Sequence, residues 1–484
     1  MLDLADISLV LRGTLVSPQP DRSLSIREDC VVVIDSKGFI AAIDNSTGSA
    51  LADEVDTLVR EGKVGQDKVV ELGDGWALPG FVDTHIHAPQ YPNAGMALDK
   101  PLMEWLEAYT FAAESRIDKD PAYAQRVYQK LVQRLLENGT TAASVFGTIS
   151  VEANLTLAKA FLDAGIRGQI GKVAMDQNSL PSYIETTASS LADTRRFIES
   201  MHSLVASLPD EQRLIEPVVT PRFVPTCSIE LMKGLSDLAK EKNVRIQSHM
   251  CESQGMVDVC REMLGGKSDV ELLDQLGLLN DRSLMAHCTH STADDLARLS
   301  RTGTAIASCP LSNVYFSAER QLPLREAWNA GVKVGLGSDI SGGYRVGIDE
   351  NMRWAVGVSR LREGERQRDL RESRRQEERS ASLAISWKEA LYLATLGGAQ
   401  ALGLDKERKV GALEVGSAFD AQWIQLGHPR SRVDWFDVEE EEGGVVKRVS
   451  TEEKLEKWFC NGSEVDRKAV WVQGKRVCSR PEPW

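Results

Sequence analysis

Seven histidines occur in the 484 residues, at positions 85, 87, 202, 249, 287, 290 and 428, and four of them close short apolar runs. The first pair stands in Leu78-Pro-Gly-Phe-Val-Asp-Thr-His85-Ile-His87, where the strand period of two turns both imidazoles to one face. Two polar residues on an exposed strand would show the same spacing, but the apolar run ahead of them argues for burial. Val244-Arg-Ile-Gln-Ser-His249 and Ser283-Leu-Met-Ala-His287 are apolar runs that each end in histidine. Either one alone reads as a hydrogen-bonded core residue; together with the pair they read as nitrogens converging on one point. Val332-Lys-Val-Gly-Leu-Gly-Ser-Asp339 adds a carboxylate at the end of a buried strand, costly there unless it is paired, bound to a cation or capping a helix.

Imidazole nitrogens with one carboxylate form a donor set matched to Zn²⁺, and a position left to water makes such a site catalytic. The metal would lower the pKa of that water towards about 7 and supply hydroxide near neutrality. Asp339 can take the proton released. Glu252, on the loop after His249, is placed to shuttle it to a ring nitrogen and a leaving amine, although it also reads as an ordinary first-turn helix acid.

These groups need a scaffold that brings distant strand ends together. Residues 1–78 carry short β-type runs at Ile7–Val10, Cys30–Ile34, Phe39–Ile43 and Val69–Leu72, broken by Pro, Gly, Asp and Ser turn signals. From about Ala77 onward short strands alternate with longer helical patterns, as βα units around a parallel sheet do. Strand ends are expected near His85, Ser144, Lys172, Pro221, His249, His287, Ser308 and Asp339, which suits a (β/α)8 barrel with its chemistry at the C-terminal strand edge. β-type runs return after Leu404, at Gln422–Gln425, Val470–Val472 and Arg476–Val477. The expected organisation is an α/β catalytic barrel over 79–404 and one small composite β-sandwich domain built from 1–78 and 405–484. Arg360–Ser380, with eight arginines and six acids, and the acidic Glu439–Glu442 fit neither module and read as water-facing helix or loop.

Composition narrows the partners. Lys and Arg total 57 against 71 Asp and Glu, and a net charge of −14 argues against a nucleic-acid ligand, whose phosphates need clustered cations. No apolar run approaches the roughly 18 residues of a spanning helix. Met1–Pro18 lacks a basic region ahead of an apolar stretch, so a cytoplasmic chain without a membrane partner is expected. The eight cysteines are scattered, with no Cys-x-x-Cys, and read as reduced, mostly buried thiols.

The order of motifs resembles the amidohydrolase superfamily, and within it the guanine deaminases of the eukaryotic type, along nearly the whole chain. The resemblance is carried by Pro79-Gly-Phe-Val-Asp-Thr-His-Ile-His-Ala-Pro-Gln90-Tyr, Pro101-Leu-Met-Glu-Trp-Leu, Pro217-Val-Val-Thr-Pro-Arg222-Phe223, Gln247-Ser-His-Met-Cys-Glu252, Met285-Ala-His287, Cys309-Pro-Leu-Ser-Asn313 and Gly335-Leu-Gly-Ser-Asp339-Ile-Ser-Gly-Gly-Tyr344. It implies one zinc held by His85, His87, His249 and Asp339, with His287 beside the attacked carbon and Glu252, His287 and Asp339 as catalytic groups. Gln90, Arg222 and Phe223 match the substrate-contact positions. The bottom-up chemistry agrees, since a guanine O6 suits the donor fork of Arg222 and Gln90 can both give and accept.

The implied reaction is zinc-dependent hydrolytic deamination of guanine to xanthine and ammonia, in purine catabolism or salvage, by a homodimer. Binuclear relatives bridge two metals with a carboxylated lysine on the fourth strand; Ile215–Arg222 contains no Lys, which supports a single zinc. The other zinc deaminase architecture needs His-x-Glu followed by Pro-Cys-x-x-Cys, a Cys pair this sequence lacks. The competing readings are an aminohydrolase or chlorohydrolase acting on a pterin, triazine or oxidised purine, and a catalytically inactive assembly protein.

Overall fold

The computed structural model describes residues 6–373, 382–439 and 446–479. Eight parallel strands lie side by side in chain order: β1 (Phe81–His87), β2 (Thr140–Phe146), β3 (Arg167–Ala174), β4 (Ile215–Pro221), β5 (Arg245–Met250), β6 (Ser283–His287), β7 (Ala305–Ser308) and β8 (Val334–Leu336). Nearly every residue of these strands is buried, which is why they read as continuous apolar runs rather than alternating ones. The ring closes just past β8, where the Asp339 N–H donates to the His85 carbonyl at 2.8 Å and the His87 N–H donates to the Ile340 carbonyl at 2.9 Å. The expected (β/α)8 barrel is therefore present, with strand ends within about three residues of the positions read from the sequence.

The helices between strands form for local reasons. In Pro121–Glu137, Asp120 caps the first turn by accepting from the Tyr123 N–H at 2.9 Å, and Pro121 fills the position where a missing N–H costs nothing. Its Ala124, Val127, Tyr128, Leu131, Val132, Leu135 and Leu136 repeat at helical spacing and are buried against the barrel.

Both chain ends contribute to one seven-stranded sheet, ordered Lys475–Ser479, Arg467–Val472, Ala421–Ile424, Val69–Pro79, Ile7–Pro18, Leu24–Asp35, Ile40–Asn45. The hairpins at its two ends meet: the Gln473 side chain donates from Nε2 to the Lys37 carbonyl at 2.7 Å, and a Cβ at Gly38, whose φ is +83°, would collide with the Gln473 carbonyl. The sheet thus rolls over a core that includes Leu11, Ile34, Phe419 and Trp471.

Two helices lie among segments read as β-type only. Ala50–Arg60, capped by Ser49, buries Ala52, Val55 and Leu58 on the second face of the sheet. Thr451–Asn461 starts at a Ser450/Glu453 capping box and buries Leu455, Trp458 and Phe459. Their three-and-four spacing is helical, but it is short and sits between turn signals. Of the charged stretch, residues 360–373 continue the helix Ile348–Ser373 and pair their charges, as in Arg362–Glu326 at 2.7 Å, whereas 374–381 lie outside the described residues. Residues 440–445, with most of the acidic Glu439–Glu442, also lie outside them.

Barrel and sheet are tied by a buried ion pair. Arg167 at the start of β3 donates from Nε and Nη2 to Asp420 at 2.6 and 3.0 Å, with both side chains at most 4% exposed, and Asp420 also accepts from the Gln473 N–H at 2.8 Å. Removing one partner strands the other as an uncompensated buried charge. Asp420→Ala is expected to lower the unfolding free energy by about 3–5 kcal/mol, read as a fall in the urea midpoint, and adding Arg167→Met should recover part of the loss.

Candidate active site

The histidines meet at the C-terminal edge of the barrel. β1 delivers His85 and His87, whose ring centroids stand 4.9 Å apart and nearly perpendicular. β5 brings His249 to stack on His87, with Nε2 to Nε2 at 3.1 Å. β6 brings His287 within 5.3 Å of His85 and 5.5 Å of His249, centroid to centroid. Phe146, at the end of β2, packs against the rings of His85, His87 and His249 at 4.7–4.8 Å. Asp339, three residues past β8, sets Oδ1 at 3.2 Å from His85 Nε2 and 3.6 Å from His87 Nε2, with Oδ2 at 3.9 Å from His287 Nε2.

This convergence is held against local strain. Cys251, His287, Cys288 and Asp339 all have φ between 49° and 69°, in the left-handed region that costs a non-glycine residue of order 1–3 kcal/mol. Asp83 offsets part of that cost by binding the end of β8 to β1. Its buried carboxylate accepts from the Ser338 N–H at 2.9 Å, from the Ser338 hydroxyl and from the His85 N–H at 3.2 Å. Burial outweighs these bonds and pushes the Asp83 carboxyl up to about 7.

Burial holds His85, His87 and His249 below the usual imidazole range, which favours their neutral forms. His249 Nδ1 lies 2.6 Å from the Arg222 backbone carbonyl, which only accepts, so the proton is on Nδ1 and the Nε2 lone pair faces His87. His85 Nε2 and His287 Nε2 are buried without a hydrogen-bond partner. Asn313 Oδ1 takes the other nitrogen of His287 at 2.9 Å. Neutral nitrogens and a carboxylate oxygen gathered this way, within 4.8 Å in each group, suit a divalent cation. Two nitrogens on one tetrahedral zinc stand roughly 3.3 Å apart, and the 3.1 Å between His87 and His249 fits that donor set.

Beside the cluster a small cavity of about 30 Å³ holds room for a water or two. His87, His249, Glu252 and Asp339 line it together with Gln90, Arg222 and Phe223, and Leu102, Trp105, Leu106 and Phe316 add apolar surface. Of the expected site residues, His87, His249, Glu252, Asp339, Gln90, Arg222 and Phe223 line this cavity, and His85 and His287 stand in the adjoining ring cluster. Glu252 sets Oε1 3.6 Å from His287 Nε2, and burial raises its carboxyl while His287 opposes the shift. Phe223 meets the His249 ring edge-on at 6.2 Å.

Arg222 differs from its expected state, because its donor fork is not free. Nη1 and Nη2 donate to the two oxygens of Glu114 at 2.7 and 3.1 Å. Glu114, on the helix Phe111–Lys119, also accepts from Gln90 Nε2 at 2.9 Å and from the Tyr183 hydroxyl at 2.9 Å. The sequence reading missed Glu114, Tyr183 and Asp83. Asp83 was visible as a charged residue inside the apolar strand ahead of His85; Glu114 and Tyr183 carried no signal, since an acid on a helix is ordinary.

The Amidohydrolase family model matches residues 76–477. The guanine deaminase of Dictyostelium discoideum is 33% identical over 484 residues, covering 99% of this chain and 100% of that protein. The human guanine deaminase is 35% identical over 471 residues, covering 97% and 96%. A crystal structure of guanine deaminase from C. acetobutylicum with guanine bound in its active site superposes with a TM-score of 0.80 at 28% identity, covering 97% of this chain and 100% of that one.

The donor set leads to a measurable expectation. The purified chain should retain a divalent metal through dialysis, and a chelator should remove it. His249→Ala combined with Asp339→Ala should lower retention by roughly 100-fold or more, exceeding the loss typical of an outer partner, with metal analysis as the readout and an unchanged circular dichroism spectrum as the control.

Proposed function

From the premise that this chain belongs to the amidohydrolase family, we propose that it hydrolyses guanine to xanthine and ammonia, in purine catabolism or salvage. One observation carries the reading: Gln90, Arg222 and Phe223 line the same pocket as His87, His249, Asp339 and Glu252. The reading assigns His85, His87, His249 and Asp339 to one zinc. A single ion accords with the absence of lysine from β4, while Lys172 on the neighbouring β3 is engaged by Glu185 at 2.7 Å. Bound there, the ion supplies an attacking water of lowered pKa.

The chain's own residues bind and move protons. Arg222 donates to guanine O6, Gln90 takes the neighbouring edge, and Phe223 packs against the ring. Glu252, whose protonated form burial favours, gives its proton to the ring nitrogen beside C2 as the water oxygen bonds to that carbon, and Asp339 accepts one water proton. His287, fixed through Nδ1 by Asn313, presents Nε2 to the tetrahedral carbon. The proton on Asp339 then passes to the amine, the C2–N bond breaks, and the last water proton restores Glu252. The ring nitrogen keeps one proton and ammonia carries off the other, which balances the hydrolysis. Entry of a flat purine requires the wall of Trp105 and Phe316 to yield, since their rings meet at 5.3 Å over the cavity.

The same reading makes the enzyme a cytoplasmic homodimer; among the described residues no helix is long and apolar enough to cross a membrane. Sedimentation and cell fractionation test these two points.

A panel of guanine, adenine, 8-oxoguanine and guanosine, assayed for ammonia with and without chelator, should show metal-dependent release from guanine. Activity confined to another compound would replace the substrate, and metal-free, inert protein would favour the assembly reading. Glu252→Gln should lower kcat for guanine by roughly 10²–10⁴-fold. Arg222→Ala should cut kcat/KM by roughly 100-fold with metal content intact, because Arg222 reaches His249 through its backbone carbonyl; unaltered guanine kinetics would remove its assigned role.

A further inference from the structure

We infer that Glu114 is a positioning residue that sets the donor and acceptor pattern of the pocket, and through it the preference for a lactam edge over an amino-substituted one. The inference rests on the guanine reading above and adds to it the residue that enforces the choice.

Glu114 is fully buried, and its carboxylate is saturated. Oε1 accepts from Gln90 Nε2 at 2.9 Å and Arg222 Nη2 at 3.1 Å; Oε2 accepts from Arg222 Nη1 at 2.7 Å and the Tyr183 hydroxyl at 2.9 Å. An ionised carboxylate only accepts, so the Gln90 atom facing it must be the amide nitrogen. The Ser341 N–H faces the opposite atom, Gln90 Oε1, at 3.4 Å, and an N–H needs an acceptor there. Both neighbours thus fix the same flip of an amide that could otherwise face either way. Gln90 thereby keeps its oxygen on the Ser341 side, where one acceptor position remains for a ligand beside the remaining N–H donors of Arg222.

An acceptor next to a donor complements a ligand edge with a ring N–H beside a carbonyl, as guanine presents at N1 and O6. 2,6-Diaminopurine presents the reverse at those positions, a bare ring nitrogen beside an amino group, and would set donor against donor and acceptor against acceptor. A hydrogen-bonding site rejects such a mismatch far more strongly than a missing methylene, because buried polar groups are left unpaired. Glu114 touches neither metal ligand nor reacting atom in this arrangement; it acts through Gln90 and Arg222.

Glu114→Gln is isosteric but can face Gln90 with either a donor or an acceptor, which removes the stronger of the two contacts that fix its flip and leaves only the 3.4 Å contact from the Ser341 N–H. The expected result, in metal-replete enzyme, is a guanine KM raised by roughly 10–100-fold with a smaller change in kcat, and a guanine to 2,6-diaminopurine ratio of kcat/KM lowered by roughly tenfold or more. Glu114→Asp keeps the charge that pairs Arg222 and serves if the glutamine variant does not fold; being one methylene shorter it should restore guanine KM in part while the ratio stays below that of the parent. A ratio unmoved in the folded variants would overturn the inference, as would loss expressed in kcat alone. The parent enzyme separates the two levels: no guanine turnover there sinks the functional reading, whereas normal turnover with an unmoved ratio sinks only the role of Glu114.

Discussion

The arrangement at the barrel mouth depends on one electrostatic demand. Two imidazoles, His87 and His249, face each other through Nε2 at 3.1 Å, and the Asp339 carboxylate stands 3.2 Å from the buried His85 Nε2. Ring nitrogens and a carboxylate gathered away from water are expensive unless donors or a positive centre sit among them. Burial opposes protonation of the rings, because the same desolvation that exposes the demand also depresses their basicity. A divalent cation meets it, and the left-handed backbone at His287 and Asp339 is the conformational cost of pointing the donors inward.

Arg222 links this centre to the ligand side of the pocket. Its carbonyl fixes the tautomer of His249, and its guanidinium is held in a two-point pair by Glu114, which also holds Gln90. In the proposed reading, orientation of a metal-site nitrogen and orientation of the ligand-binding donors are thus properties of one residue just past β4. Outer partners of this kind decide how accurately the contacting groups are placed.

The barrel and the strand ends that carry the candidate site residues were legible because their signals are local. His85 and His87 share a strand face by period alone, the strand ends at His249 and His287 follow apolar runs, and a buried Asp339 needs a partner. The helices Ala50–Arg60 and Thr451–Asn461 were missed because short helical spacing between turn signals competes poorly with a β-type background. Arg222 was read as an open donor because its partner is 108 positions away and sits on an unremarkable helix.

What the sequence determined by itself is the set of chemical groups and the strand ends that carry them, since side-chain period and the burial of apolar runs act over a few residues. Only the tertiary structure decided which lone pairs oppose one another, how Asp83 ties Ser338 to β1, and which way the Gln90 amide faces. Those depend on contacts between chain segments far apart in sequence, where angles and distances of a few tenths of an ångström select among states that the residue types alone leave equivalent.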